Sequence, residues 1–156
     1  MTNVVIDRVD PTDTKLMSHM FNLVFRPERP PESFDRRLKG RHNPLFMVAR
    51  IDNDAVGFYV GLELKPTVHF AWLCGVSPDV RRMGVATQLM HAAMDWARTE
   101  AYNSIRFECD NHQRAMLHFG ISAGYDIVGL RWDADRSQNL IIFERLLMDA
   151  VDRSKE

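Results

Sequence analysis

Cysteine is scarce. Cys74 and Cys109 are the only two in 156 residues. Two thiols make no disulfide framework, and both fall in apolar, strand-like stretches, so buried thiols in a reducing, cytoplasmic setting are the expectation. Net charge is equally sparse at −1. That gives no general attraction to nucleic acid or to an anionic membrane, so any phosphate site has to be local. No apolar run approaches the roughly 20 residues that a membrane helix needs. The opening MTNVVIDRVD is acidic and amphipathic and lacks the basic and apolar segments of a signal peptide. Repeats, low-complexity tracts and dividing linkers are missing too, so residues 1–156 read as one domain. No metal centre, nucleic-acid partner or membrane partner is expected.

What is present is the make-up of a globular chain, 46% apolar and 26% charged. Val4 and Ile6 alternate as a short strand, and Asp13 stands where a helix cap belongs. The spacing of Leu16, Met20, Leu23 and Val24 predicts a helix over Lys15–Phe25 with these residues on its buried face. Arg26-Pro27-Glu28-Arg29-Pro30-Pro31 breaks it. A short helix is expected at about Glu32–Leu38, stopped by Gly40. A meander follows: Phe46–Ile51, a turn at Asp52-Asn53-Asp54, Ala55–Leu62, a turn at Lys65-Pro66-Thr67, and Val68–Val76. A long helix over about Gly84–Ala101 carries Val85, Leu89, Ala92 and Trp96 beside Ala86, Met90, Ala93 and Ala97, an apolar surface broad enough to lie on a sheet. Strand Ser104–Cys109, a helix over about His112–Ala123 ended by Gly124, and strands Tyr125–Trp132 and Asn139–Leu146 complete the chain.

Helices interrupt the strands singly only in the second half. The expectation is an α/β (α+β) fold with a mixed central sheet of about seven strands and about four helices, antiparallel first and then crossing over in parallel.

The most informative stretch is Val76-Ser77-Pro78-Asp79-Val80-Arg81-Arg82-Met83-Gly84-Val85-Ala86-Thr87, which runs from a strand end into the first turn of the long helix. A helix start offers unpaired N–H groups and partial positive charge to an anion. Gly84 and Ala86 let a phosphate approach the backbone, and Arg81 and Arg82 add charge. A dinucleotide fingerprint fits less well, because its third glycine is missing and only Glu100 stands near its acidic position. The absence of a Gly-Lys-Ser/Thr ending excludes a P-loop.

SPDVRRMGVATQLM resembles the acyl-CoA motif [RQ]-x-x-G-x-[GA] of the GNAT superfamily of N-acetyltransferases. Asn111-His112-Gln113-Arg114-Ala115-Met116-Leu117, closing in Gly124-Tyr125, resembles that superfamily's next block. The resemblance covers residues of about 45–146, and the first 44 match only in element type.

The resemblance implies a sheet splayed at the cofactor cleft, acetyl-CoA as cosubstrate and an amine acceptor, either small molecule or peptide, that attacks it directly. It implies that the backbone of Val76 holds pantetheine and that the N–H of Cys74 polarises the thioester carbonyl. Arg82, Met83, Gly84, Val85, Ala86 and Thr87 would cradle the phosphates, with Arg81 in support. Asn111 would contact the cofactor arm, orient the acceptor, or cap the following helix.

The sequence departs from the family at the general acid, for Gly120 stands where many relatives place a tyrosine. Tyr125, in the closing position, reads as core. No base is evident either. Strict alternation puts Cys74, Trp72, Phe70 and Val68 on one face with Val76, and His69 on the other. Glu63, at the end of the middle strand, is the favoured base acting through water, with Asp110 and His118 as further candidates. Phe25–Asn43 carries more Arg and Lys than acid, which favours an acidic acceptor or simply solvates a helix. The long helix and the final strands offer surfaces for a homodimer. A catalytically silent acyl-CoA-binding regulatory module and a different nucleotide-binding α/β domain are the alternatives.

Overall fold

The computed structural model describes residues 3–147. Seven strands form one sheet in the order β1-β2-β3-β4-β5-β7-β6. The strands are β1 (Val4–Val9), β2 (Leu45–Ile51), β3 (Asp54–Lys65), β4 (Val68–Val76), β5 (Ser104–Asp110), β6 (Asp126–Asp133) and β7 (Gln138–Leu146). The helices are α1 (Thr14–Val24), α2 (Pro31–Leu38), α3 (Val85–Thr99) and α4 (Arg114–Ser122). Only β4 and β5 pair in parallel, joined by α3, and every other neighbour is antiparallel. The mixed sheet expected from the sequence is the one observed. Among the described residues no helix is long and apolar enough to cross a membrane.

Local chemistry explains the joints. The Asp13 carboxylate caps α1 by accepting from the Leu16 amide at 3.1 Å. Asp52 and Asn53 both adopt left-handed backbone, φ 50° and 70°, which matches the twist of the β2–β3 hairpin.

Each face of the sheet has its own core. On one face α3 buries Val85, Leu89, Met90, Ala93 and Ala97 against Tyr59, Ala71 and Phe107. On the other, Met17, Met20 and Phe21 of α1 and Phe34 of α2 pack on Phe46, Phe58 and Val60. Each such side chain contributes about 1.5–3 kcal/mol by leaving water.

The buried face of α1 therefore differs from the one its sequence predicts. Leu23 is 53% exposed, and Met17 and Phe21 are buried in its place. The stripe Met17-Met20-Phe21-Val24 has the same 3–4 spacing as the expected one, and only the aromatic partners across the interface select between them.

The face assignment along β4 is also corrected. Val60 pairs with Leu73 but the next residue, Gly61, pairs with Ala71, leaving Trp72 as the extra residue of a β-bulge. The bulge resets the alternation. His69, which touches Trp96 and Tyr102, thus shares the α3 face with Ala71, Cys74 and Val76, while Trp72 and Leu73 pack towards α1 and α2.

Candidate active site

β4 and β5 pair over only four positions, from Val68 with Ser104 to Ala71 with Phe107. Beyond Phe107, β5 stays with β7 as far as Asp110, whereas β4 bends away at the bulge. The sheet is therefore split between Trp72–Val76 and Glu108–Asp110. On the other side of β4, the Ser77 amide donates to the Val56 carbonyl at 2.7 Å. Peptide groups alternate along a strand, so those of Val76 and Cys74 face the split. The Val76 carbonyl there accepts from Arg81 Nε at 3.4 Å, a long and weak contact.

At the mouth of the split lies the loop into α3. A single 3-10 turn, Pro78–Val80, delivers the chain to Arg82 and Gly84, both left-handed at φ 71° and 78°. For an arginine that backbone costs on the order of 1–3 kcal/mol, strain of a kind kept where a site needs it. The first bond of α3 runs from the Gln88 amide to the Gly84 carbonyl. The amides of Gly84, Val85, Ala86 and Thr87 thus have no partner inside the helix. A Cβ at Gly84 would meet no atom within 4 Å, so the space above it is open. Arg81, Arg82, Gly84, Val85, Ala86 and Thr87 join Cys74 and Val76 around a cavity of about 440 Å³. Met83 is 42% exposed and stands outside its wall.

This cavity continues past Cys74 and Gln113 into a throat of about 150 Å³ between Ala71, Phe107, Met90 and Phe25. The throat opens past Trp72, Leu73, Glu108 and Arg136 into a groove of about 860 Å³ on the α1–α2 side. One trench therefore runs through the split sheet, with a helix start at one end and an arginine-rich groove at the other.

Glu108 sits where throat and groove meet. Its Oε2 accepts from Arg131 Nη2 at 2.8 Å and Nε at 3.1 Å. Glu63 does not reach the trench. It lies opposite His69, at the closed end of β4, and its Oε1 accepts from the Tyr102 hydroxyl at 3.0 Å. Asn111 is exposed and lines none of the three cavities. The residue that opens α4 and faces all three is Gln113, whose Oε1 also accepts from the Asp110 amide.

Alternation along Ser104–Asp110 could have found Glu108, since Ile105, Phe107 and Cys109 take the opposite, core face. Nothing in the sequence singles out Gln113, which is not a preferred cap.

The other candidates are occupied elsewhere. Asp110 Oδ1 accepts from the His112 amide, and Oδ2 from Gln138. His118 is exposed and lines none of the three cavities. Burial pulls the His69 ring down to about 4, so it is neutral, and its Nε2 shares a 2.7 Å hydrogen bond with the Tyr59 hydroxyl. Tyr125 is buried between Phe107 and Phe119, its hydroxyl has no partner among the described residues, and burial raises it far above the usual phenol range. Burial also lifts the Cys74 and Cys109 thiols, to about 12 and about 11, which rules out a ready thiolate. At Gly120 a Cβ would lie 2.7 Å from the Phe143 ring and 3.1 Å from Phe107. No side chain fits there, which explains the missing tyrosine.

A mixed seven-stranded sheet parted between its two parallel strands, with a helix start aimed into the gap, defines a class. The Acetyltransferase (GNAT) family matches residues 14–125, and the chain belongs to it. No curated protein matches the sequence significantly.

Among solved structures, the ribosomal-protein-S18-alanine N-acetyltransferase of Escherichia coli superposes with a TM-score of 0.79 at 16% identity, over 95% of this chain and 96% of that one. Ard1 of Thermoplasma volcanium gives 0.76 at 22% identity, over 94% and 99%. A GNAT family acetyltransferase of Elizabethkingia anophelis with acetyl-CoA bound gives 0.77 at 15% identity, over 92% and 98%. At these identities the likeness is one of fold.

Proposed function

We propose that the protein is an acetyl-CoA-dependent N-acetyltransferase, acting on an amine by direct attack within a ternary complex. The single observation that carries this is the continuous trench, which would admit a phosphorylated thioester at one end and an amine at the other. The residues present fit the donor: amides at Gly84–Thr87 without a helical partner, open space above Gly84, and peptide groups at Cys74 and Val76 that no strand pairs across the split, the Val76 carbonyl meeting only the long Arg81 contact among the described residues. The superposed Elizabethkingia structure, which carries acetyl-CoA, supports the same reading.

Acetyl-CoA supplies an acyl thioester whose carbonyl carbon accepts a nucleophile. The amides of Gly84 to Thr87 and the arginines at 81 and 82 would hold the pyrophosphate. The Cys74 amide would stabilise charge on the carbonyl oxygen. As the amine nitrogen attacks, the C–N bond forms and the C–S bond breaks. The nitrogen loses two protons, one to the base before it attacks and one that ends on the CoA sulfur, so one ammonium and one thioester give an amide, a thiol and a proton.

An alkyl ammonium titrates near pH 10.4, so a carboxylate acting directly or through water has to collect that proton. Glu108 is the carboxylate at the junction of throat and groove, and we assign it this role in place of Glu63. Gln113, at the opening of α4, would orient the donor arm or the acceptor from the opposite wall.

Calorimetric titration with acetyl-CoA, CoA and ATP, followed by thiol release against an amine panel, tests the reading. Binding of acetyl-CoA and CoA but not ATP, with thiol release on at least one amine, is expected. Binding without turnover on every amine leaves a silent acyl-CoA-binding module, and a preference for ATP removes both.

A further inference from the structure

The groove on the acceptor side holds two arginines in an unusual state. The Arg29 guanidinium lies over three aromatic rings, 4.8 Å from the Phe21 centroid, 5.3 Å from Trp72 and 6.0 Å from Phe34. Arg37, on α2, reaches the same Trp72 ring at 5.3 Å. Both side chains line the groove. Among the described residues neither has a carboxylate at ion-pair distance, whereas Arg106 and Arg131 of the same groove are paired with Glu144 and Glu108.

The two guanidiniums are also desolvated. Burial lowers Arg29 first, and the charges of Arg136 and Arg37 lower it further. Burial likewise lowers Arg37, then Arg41, with Glu108 opposing and Arg131 adding to the effect. Partly buried cations without a counter-ion are costly, and ring contacts offset only part of that. An arrangement this unfavourable is relieved when an anion enters. Of the other carboxylates that line the groove, Glu28 and Asp135 are exposed at its rim, while Glu108 and the half-buried Asp133 act on Arg131.

The pair is held ready rather than swinging free at the backbone. The Arg29 amide donates to Asn22 Oδ1 at 2.8 Å, and its carbonyl accepts from Ser18 Oγ at 2.7 Å, which ties the Arg26–Pro31 segment to α1. Trp72, the bulge residue that both arginines cover, is two positions from Cys74, roughly 7 Å along a strand. That span suits a molecule whose amine and anionic group are separated by a few bonds.

We propose that the acceptor is a small amine bearing an oxyanion, carboxylate or phosphate, and that Arg29 and Arg37 beside Trp72 bind this group while the amine points to Glu108. This rests on the acetyltransferase reading above.

The test uses the full chain with acetyl-CoA and measures thiol release on matched amines with and without the anion. One arm compares α-amino acids with their carboxamides, and the other compares phosphoethanolamine with ethanolamine. In at least one arm the anionic member should show a KM about tenfold or more below its neutral partner. Arg29→Gln and Arg37→Gln should each erase most of that difference, raising KM for the anionic member far more than KM for its neutral partner.

The comparison on the unaltered protein decides the matter even if a variant folds poorly. Turnover of neutral amines as efficient as that of anionic ones in both arms overturns the proposal while leaving the enzyme an acetyltransferase. Failure to bind acetyl-CoA in the calorimeter overturns both.

Discussion

Arg131 grips one oxygen of Glu108 with two nitrogens, at 2.8 and 3.1 Å, leaving Oε1 of the carboxylate for another partner. A base that works through water needs such an orientation, because a freely rotating carboxylate would hold its water in many poses. Glu108→Gln keeps the shape and removes the proton acceptor. It is expected to lower kcat by about 10²–10⁴-fold with little change in acetyl-CoA affinity. Glu63→Gln, tested beside it, is expected to leave kcat and the pH–rate profile intact, since Glu63 is engaged with Tyr102. Equal losses in the two variants would contradict the assignment.

Gly84 separates binding from stability. Its φ of 78° and its empty surroundings mean that Gly84→Val strains the backbone by about 1–2 kcal/mol and puts a side chain into the space above the free amides. The acetyl-CoA Kd is expected to rise more than about tenfold, by more than that strain alone would predict from the melting temperature. Calorimetry and a thermal melt on the same sample give both numbers. An unchanged Kd would place the phosphates elsewhere.

His69 links stability to pH. Its folded pKa of about 4 lies below the unfolded value of 6.5, so the unfolded chain binds the proton more readily between the two. Stability from this group is complete above pH 6.5 and is lost as pH falls from there towards 4. Between pH 7 and pH 5 the loss is ~2 kcal/mol. Urea unfolding at the two pH values should show it, and His69→Gln should shrink it. A pH difference identical in the variant assigns the effect to other groups.

Gly120 and Gly61 are close-packed against rings. A Cβ at Gly61 would lie 2.4 Å from the His69 ring, and at Gly120 2.7 Å from Phe143. Gly61→Ala and Gly120→Ala are each expected to destabilise the protein by about 1–3 kcal/mol through overpacking. Gly120→Tyr, which would restore the family's usual residue, should destabilise more strongly and gain no activity. A Gly120→Tyr variant that folds normally and turns over faster would show that the pocket opens more readily than its packing implies.

Much of this molecule was legible before folding, and the reason is local. The bounds of β4, the cap at Asp13, the hairpin turn at Asp52-Asn53 and the left-handed Gly84 that opens α3 all depend on chemistry within a few residues. What failed had to be settled between distant segments. The exposed Leu23 and buried Phe21 of α1 were decided by aromatic partners on α2 and β3, which the helical period alone does not name. The bulge at Trp72 exists only in relation to β3, and by shifting one residue it moved His69 to the face of Cys74 and sent Trp72 to the groove on the α1–α2 side. Glu63, expected at the end of the middle strand, lies two residues before the end of β3, and pairing with His69 set it at the closed end of the split. The sequence by itself determined the order of elements and the loop whose helix start carries amides without a helical partner. The tertiary structure decided which carboxylate, which glutamine and which two arginines share the trench, because those choices depend on strand register and on the splay of two strands.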